Sequence, residues 1–247
     1  MKRWSGLAIG LGAYALALIA TAPATLVDAG LQRASQGRLR LAQAQGTLWS
    51  GSGQIEIRDA GGRTGVAKSL AWRVLPESLL RAHLVCEVEL DQSARPFPVT
   101  ISLSRIELAN ADISLPATVL GMGVPKLAPL GLTGDVLIHV ARLSIARDAI
   151  EGNATLQWRA AGSTLTSVSP LGDYEVRLDG EGRTVHVYLR TIEGPLSLDG
   201  KGSWTLGNSP AFLAMARVAP LHQQQLAPLL RLIAVERGEG RFELQLN

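Results

Sequence analysis

Apolar and polar residues alternate along most of this chain, and the pattern changes character only near the N-terminus. After Pro96, Phe97, Val99, Ile101 and Leu103 fall on one side of an extended chain. Pro98, Thr100, Ser102 and Ser104 fall on the other. The same period of two runs through residues 54–58, 70–74, 84–90, 136–140, 174–178, 185–189 and 242–246. One apolar and one wettable face per strand predicts an antiparallel sheet. Turn residues punctuate the runs, as in Asp59-Ala60-Gly61-Gly62 and Asp179-Gly180-Glu181-Gly182, the second of which predicts a hairpin. Helical spacing is rare. Leu226, Leu229, Leu230 and Ile233 predict a helix over 221–234, which Pro228 should bend or delay. Pro116 and Gly121 frame a short helix over 115–121, and Pro76 stops a strand before a helical turn at 77–80.

The expected fold is therefore mainly β: an antiparallel, curved or sandwich-like multi-stranded sheet with a few short helices. Prolines and glycines over 127–134 mark a boundary between two candidate halves, 46–126 and 127–247. Leu156-Gln157-Trp158-Arg159 echoes Leu70-Ala71-Trp72-Arg73, with Leu165 and Leu79 equally spaced behind the two tryptophans. Trp72 and Trp158 are accordingly expected at equivalent buried positions in two related halves.

The N-terminal end reads differently. Lys2 and Arg3 precede a run from Trp4 to Val27 without a single charge. A helix that crosses the hydrocarbon core needs ~20 such residues, so the run is long enough for a single transmembrane anchor. Trp4 would sit at the interface, with Lys2 and Arg3 in the cytoplasm. The alternative is a cleaved signal peptide, with Ala20-Thr21-Ala22 or Ala22-Pro23-Ala24 as the small-x-small site; Pro23 disfavours both positions. Either reading exports the remainder. The expected division is a cytoplasmic tip and anchor at 1–27, a connector or short juxtamembrane helix at 28–45, and an exported β-rich domain at 46–247.

Composition narrows the function by exclusion. The net charge is only +3, and arginines are spread singly along the strands, so no basic patch for nucleic acid forms. The single cysteine, Cys86, excludes an internal disulfide and alternates in register with apolar residues, as a small core residue would. The 4 histidines, His83, His139, His186 and His222, are isolated, without a second ligand at metal-site spacing. No serine stands in a Gly-x-Ser-x-Gly elbow, and Gly180-Glu181-Gly182 and Gly238-Glu239-Gly240 read as turns. Glu87 and Glu89 share a strand face that reads as solvated. No catalytic, cofactor-binding or metal residue is expected, and the chain reads as a non-enzyme.

Several landmarks stand in a fixed order: the N-terminal anchor, Gly46-Thr47-Leu48-Trp49-Ser50-Gly51, Leu70-x-Trp72, and Leu171-Gly172-Asp173-Tyr174. Leu226-Ala227-Pro228-Leu229-Leu230-Arg231-Leu232, followed by Gly238-Glu239-Gly240, completes them. In this order the chain resembles the type II secretion system protein N family. The resemblance implies a single-pass bacterial inner-membrane protein with a periplasmic β-rich domain, accessory to export of folded proteins across the outer membrane. It implies other type II secretion subunits as partners, on the inner-membrane platform and on the secretin side, and no catalytic residues. A second reading comes from the strands alone. Long one-sided sheets that fail to close can curl into a trough, and apolar faces such as Val99-Ile101-Leu103 and Val136-Ile138-Val140 would suit a lipid.

Overall fold

The structure is a computed structural model and describes residues 10–14, 17–59, 64–81, 83–90, 95–238 and 240–246. Lys2, Arg3, Trp4 and the turn at Ala60, Gly61 and Gly62 lie outside the described residues. One antiparallel sheet of 14 strands dominates. Its first part is β1 (Leu39–Gly46), β2 (Ser50–Arg58), β3 (Thr64–Leu75), β4 (Leu84–Leu90), β5 (Phe97–Ile101) and β6 (Arg105–Pro116). It continues with β7 (Leu132–Ala146), β8 (Ile150–Ser163), β9 (Gly172–Glu181), β10 (Thr184–Glu193), β11 (Leu196–Thr205) and β12 (Ala211–Val218), and closes with β13 (Val235–Glu236) and β14 (Arg241–Leu246). Each strand from β1 to β12 pairs with its neighbours in sequence; only the last two exchange places, in the order β12-β14-β13. The antiparallel expectation holds, and the arrangement is one continuous sheet rather than two packed layers.

The sheet runs unbroken across the proline-rich stretch at 127–134. There the chain leaves the sheet through α2 (Thr118–Gly123) and a 3-10 helix (Pro125–Leu130), yet β6 and β7 still pair from Arg105–Ala146 to Pro116–Asp135. Bulges keep the apolar face on one side. On β6 the apolar parity switches from Ile106 and Leu108 to Ala111, Ile113 and Leu115, at Asn110, whose φ is 50°. Ala160, with φ 46°, does the same on β8, between Trp158 and Ala161. An extra residue flips every later side chain unless the strand bends to absorb it.

Three apolar clusters sit on that face. The largest joins Val136, Leu196, Ala216, Val218 and Phe242 to Leu226, Leu229 and Leu230 of α3 (Gln223–Arg231). α3 is shorter than its apolar spacing predicts: Pro220–His222 is a 3-10 turn, and the helix stops at Arg231, close behind Pro228. Proline lacks the amide that would bond the Gln224 carbonyl, which weakens the first turn and fits the late start of the helix. A second cluster gathers Phe97, Ala111 and Val140. The third joins Ala24, Leu41 and Trp72 beneath α1 (Thr25–Ala34).

The N-terminal run does not continue as one helix to Val27. Residues 10–14 and 17–20 are helical, with Leu11, Tyr14, Leu18 and Ile19 at 71, 64, 53 and 55 % exposure. Among the described residues no helix is long and apolar enough to cross a membrane. The helix gives way at Thr21, Pro23 forms a bridge with Thr47, and Ala24 is buried. The stretch 28–45 is ordered throughout, holding most of α1 and nearly all of β1.

Candidate functional site

The glycine-rich phrase at 46–51 forms the joint between the N-terminal segment and the sheet. Gly46 has φ 91°, and a Cβ there would lie 2.5 Å from the Ser50 carbonyl oxygen, so only glycine fits the turn. Thr47 Oγ1 accepts from the amides of Trp49 and Ser50, at 3.3 and 3.2 Å, which tightens the loop. The loop then grips both sides. Trp72 Nε1 donates to the Leu48 carbonyl at 3.2 Å, and the Val74 amide donates to the Trp49 carbonyl at 2.7 Å. Trp49 Nε1 in turn donates to the Ile19 carbonyl at 2.8 Å, tying the end of the apolar helix to β2 and β3.

Behind this joint lies an open groove of about 550 Å³ between α1 and β2–β5. Leu26, Val27, Gly30, Leu31 and Ala34 wall it on the helix side; Leu70, Trp72, Val74, Cys86, Val88, Val99 and Ile101 wall it on the sheet side. α1 has no fully buried residue and is held by few ties. The chief one is Asp28, whose Oδ1 accepts from the Leu41 amide at 2.8 Å. Burial works against ionisation of that carboxyl, but hydrogen bonds from Gln32 and Leu41, with Arg40 and Arg58 nearby, outweigh it and hold the group below its ordinary value. Cys86 stands in the groove wall, and burial pushes its thiol above the ordinary value. That makes it a weak nucleophile, in keeping with an apolar role.

The phrase Leu171-Gly172-Asp173-Tyr174 is a second lock. Leu171 and Tyr174 are buried, and Tyr174 Oη donates to the Leu196 carbonyl at 2.8 Å. Asp173 Oδ1 accepts the Ala160 amide at 2.8 Å, satisfying the bulge of β8. Trp158 lies tilted 49° against the Tyr174 ring, with centroids 5.7 Å apart, and its indole donates to the Thr133 carbonyl at 2.9 Å. Trp72 and Trp158 thus share a habit, each bonding a backbone carbonyl earlier in the chain, Leu48 in the β1–β2 turn and Thr133 on β7. They differ in burial: Trp72 is 6 % exposed and Trp158 only half-buried.

The polar face offers ion pairs rather than a catalytic cluster. Glu175, 8 % exposed, accepts from Arg190 and Arg177 at 2.8 and 2.9 Å. The Arg190 hydrogen bond, then Arg177, holds its carboxyl below the ordinary value against the effect of burial. His139 pairs with Asp112 at 2.6 Å on an exposed surface, and His222 meets Gln225 at 3.3 Å. Among the described residues, no three His, Cys, Asp or Glu side chains converge as metal ligands. Glu87 lies opposite Arg73 and Glu89 opposite Ala71 across β3 and β4.

A single meandering sheet joined to apolar helical residues at its N-terminal end, with its phrases used as structural ties, defines a mainly β module. The family model described as "Type II secretion system (T2SS), protein N" matches residues 37–245, and the chain belongs to that family. It is thereby a type II secretion component. No curated protein and no solved structure matches the chain.

Proposed function

We propose that the chain is a non-catalytic accessory subunit of the type II secretion system, held in the bacterial inner membrane with its sheet in the periplasm. The observation that carries this reading is the family match over nearly the whole sheet, taken with the motif residues Trp72 and Tyr174, which serve as structural ties. The expected division into a tip and anchor at 1–27, a connector at 28–45 and a periplasmic domain at 46–247 is revised: the domain begins at Pro23 and takes in α1 and β1, because β1 pairs with β2 and Leu41 packs with Trp72. The anchor ends before Pro23, because Pro23 and Ala24 already pack on the sheet.

Its partners would be inner-membrane platform subunits and the secretin side of the apparatus. The outer edge of β1 and the short β13 are the two ends of the sheet, where strand addition recruits partners most simply. Fusions of alkaline phosphatase after Gly53 and after Asn247 test the topology. Both should be active, and both should stay in the membrane after a high-salt wash. Freely soluble active fusions would mean a cleaved N-terminus, and inactive ones a cytoplasmic sheet. A second reading, a module that takes up an apolar ligand, is favoured by the groove beneath α1.

A further inference from the structure

The groove beneath α1 does not end at its walls. Leu84 pairs with Ile101, Ile101 with Ile106, Ile106 with Ile145, and Ile145 with Ile150. These partners form one row across β4–β8, at about 4.8 Å per strand. Ile101, Ile106 and Ile145 are 43, 47 and 44 % exposed, so the row stands open to solvent. An aliphatic row continuous with an apolar groove is more than scattered surface hydrophobes.

The chemistry of the walls selects the occupant. The residues that form the groove's walls are aliphatic or aromatic, apart from the Gly30 backbone and the Cys86 thiol. A peptide strand has nowhere to pair, because β2, β3, β4 and β5 are each bonded on both sides. A docked helix, ~10 Å or more across, overfills about 550 Å³ within a few turns. Hydrocarbon is the one occupant that needs no hydrogen-bond partner. The source lies at hand: the exposed apolar helical residues at 17–20 are tied to this end of the sheet by the Trp49–Ile19 hydrogen bond.

We propose that the groove and the isoleucine row form a track for an acyl chain of a phospholipid, taken from the membrane in which the N-terminal segment sits. It rests on the reading that the chain is membrane-held. α1 is the roof of the track, tied chiefly through Asp28, and Gly30 is its thinnest point. A Cβ at Gly30 meets nothing within 4 Å, so a side chain can start there without a clash at the backbone, and Gly30 faces the groove.

The test reconstitutes the full chain in phosphatidylethanolamine–phosphatidylglycerol vesicles that carry a phospholipid with a diazirine near its acyl terminus. After irradiation, adducts are mapped by peptide mass spectrometry. The track predicts adducts on α1, on β3–β5 and around Ile106 and Ile145, in addition to the N-terminal apolar residues 10–20. Gly30→Phe should cut the sheet adducts at least about five-fold by filling the groove, with those at 10–20 unchanged. Ile106→Gln, at an exposed site where substitution disturbs the fold little, should deplete adducts along the row. Adducts confined to 10–20 would overturn the track and leave the membrane reading standing. No adducts anywhere would remove both. A dimer by native mass spectrometry, with the groove free of lipid adducts, would assign the groove to a second copy and equally overturn the proposal.

Discussion

Trp72→Ala should lower the stability of the folded chain by about 3–5 kcal/mol, the range for deleting a large buried aromatic. Trp72 is 6 % exposed and packs with Ala24 and Leu41, so its loss opens the floor of the groove and loosens α1 together with the N-terminal helix joint. The ring also lies against Gly51, where an added Cβ would stand 2.5 Å from it. At Gly51 the hairpin therefore has no side chain to fall into the hole. Losing the indole N–H leaves the Leu48 carbonyl without its donor. Chemical denaturation of the purified chain measures the effect. A cost under about 1 kcal/mol would place the ring at the surface and contradict the packing described. The half-buried Trp158 should cost less when truncated, so the two echoing phrases are not energetic equals.

Tyr174→Ala should be comparably severe, about 3–5 kcal/mol, because it removes the partner of Trp158 and the closing bond of β11 in one step. Tyr174→Phe isolates the hydroxyl. It keeps the ring and orphans the Leu196 carbonyl, for an expected cost of about 1–2 kcal/mol. The two variants also differ from the wild type at alkaline pH. Burial, and secondly the charge of Asp173, push the Tyr174 phenol well above its ordinary value of 10.0. A raised folded value means that the tie contributes in full below pH 10.0 and is lost as the pH rises beyond it. Wild-type stability should therefore fall above that pH by a component that Tyr174→Phe lacks. Identical alkaline profiles would show that the phenol is not buried as described.

The alternation of side chains made the sheet legible in the sequence because period-two burial acts residue by residue. Even the bulges leave a trace: the apolar parity of Ile106 and Leu108 becomes odd at Ile113 and Leu115. What alternation cannot carry is where a face points once strands bend. Leu103 continues the pattern of Phe97, Val99 and Ile101, yet it is fully exposed, because β5 stops at Ile101 and turns. The groove was half legible. Val99 and Ile101 read as a lining, whereas Val136 and Val140 proved to be packed core. Its roof was hidden, since the apolar face of α1 merges with the uncharged run before it and its chief tie is a carboxylate on a strand amide. The run from Trp4 to Val27 reads as one apolar segment, but hydropathy ignores the bridge that Pro23 makes to Thr47.

An in-frame deletion asks whether the chain serves protein secretion as an accessory subunit. Secreted enzymes should then accumulate in the periplasm, folded and active, and release should return when the full chain is supplied, but not when residues 1–22 are replaced by a cleavable signal peptide. Normal release from the deletion strain would contradict that role.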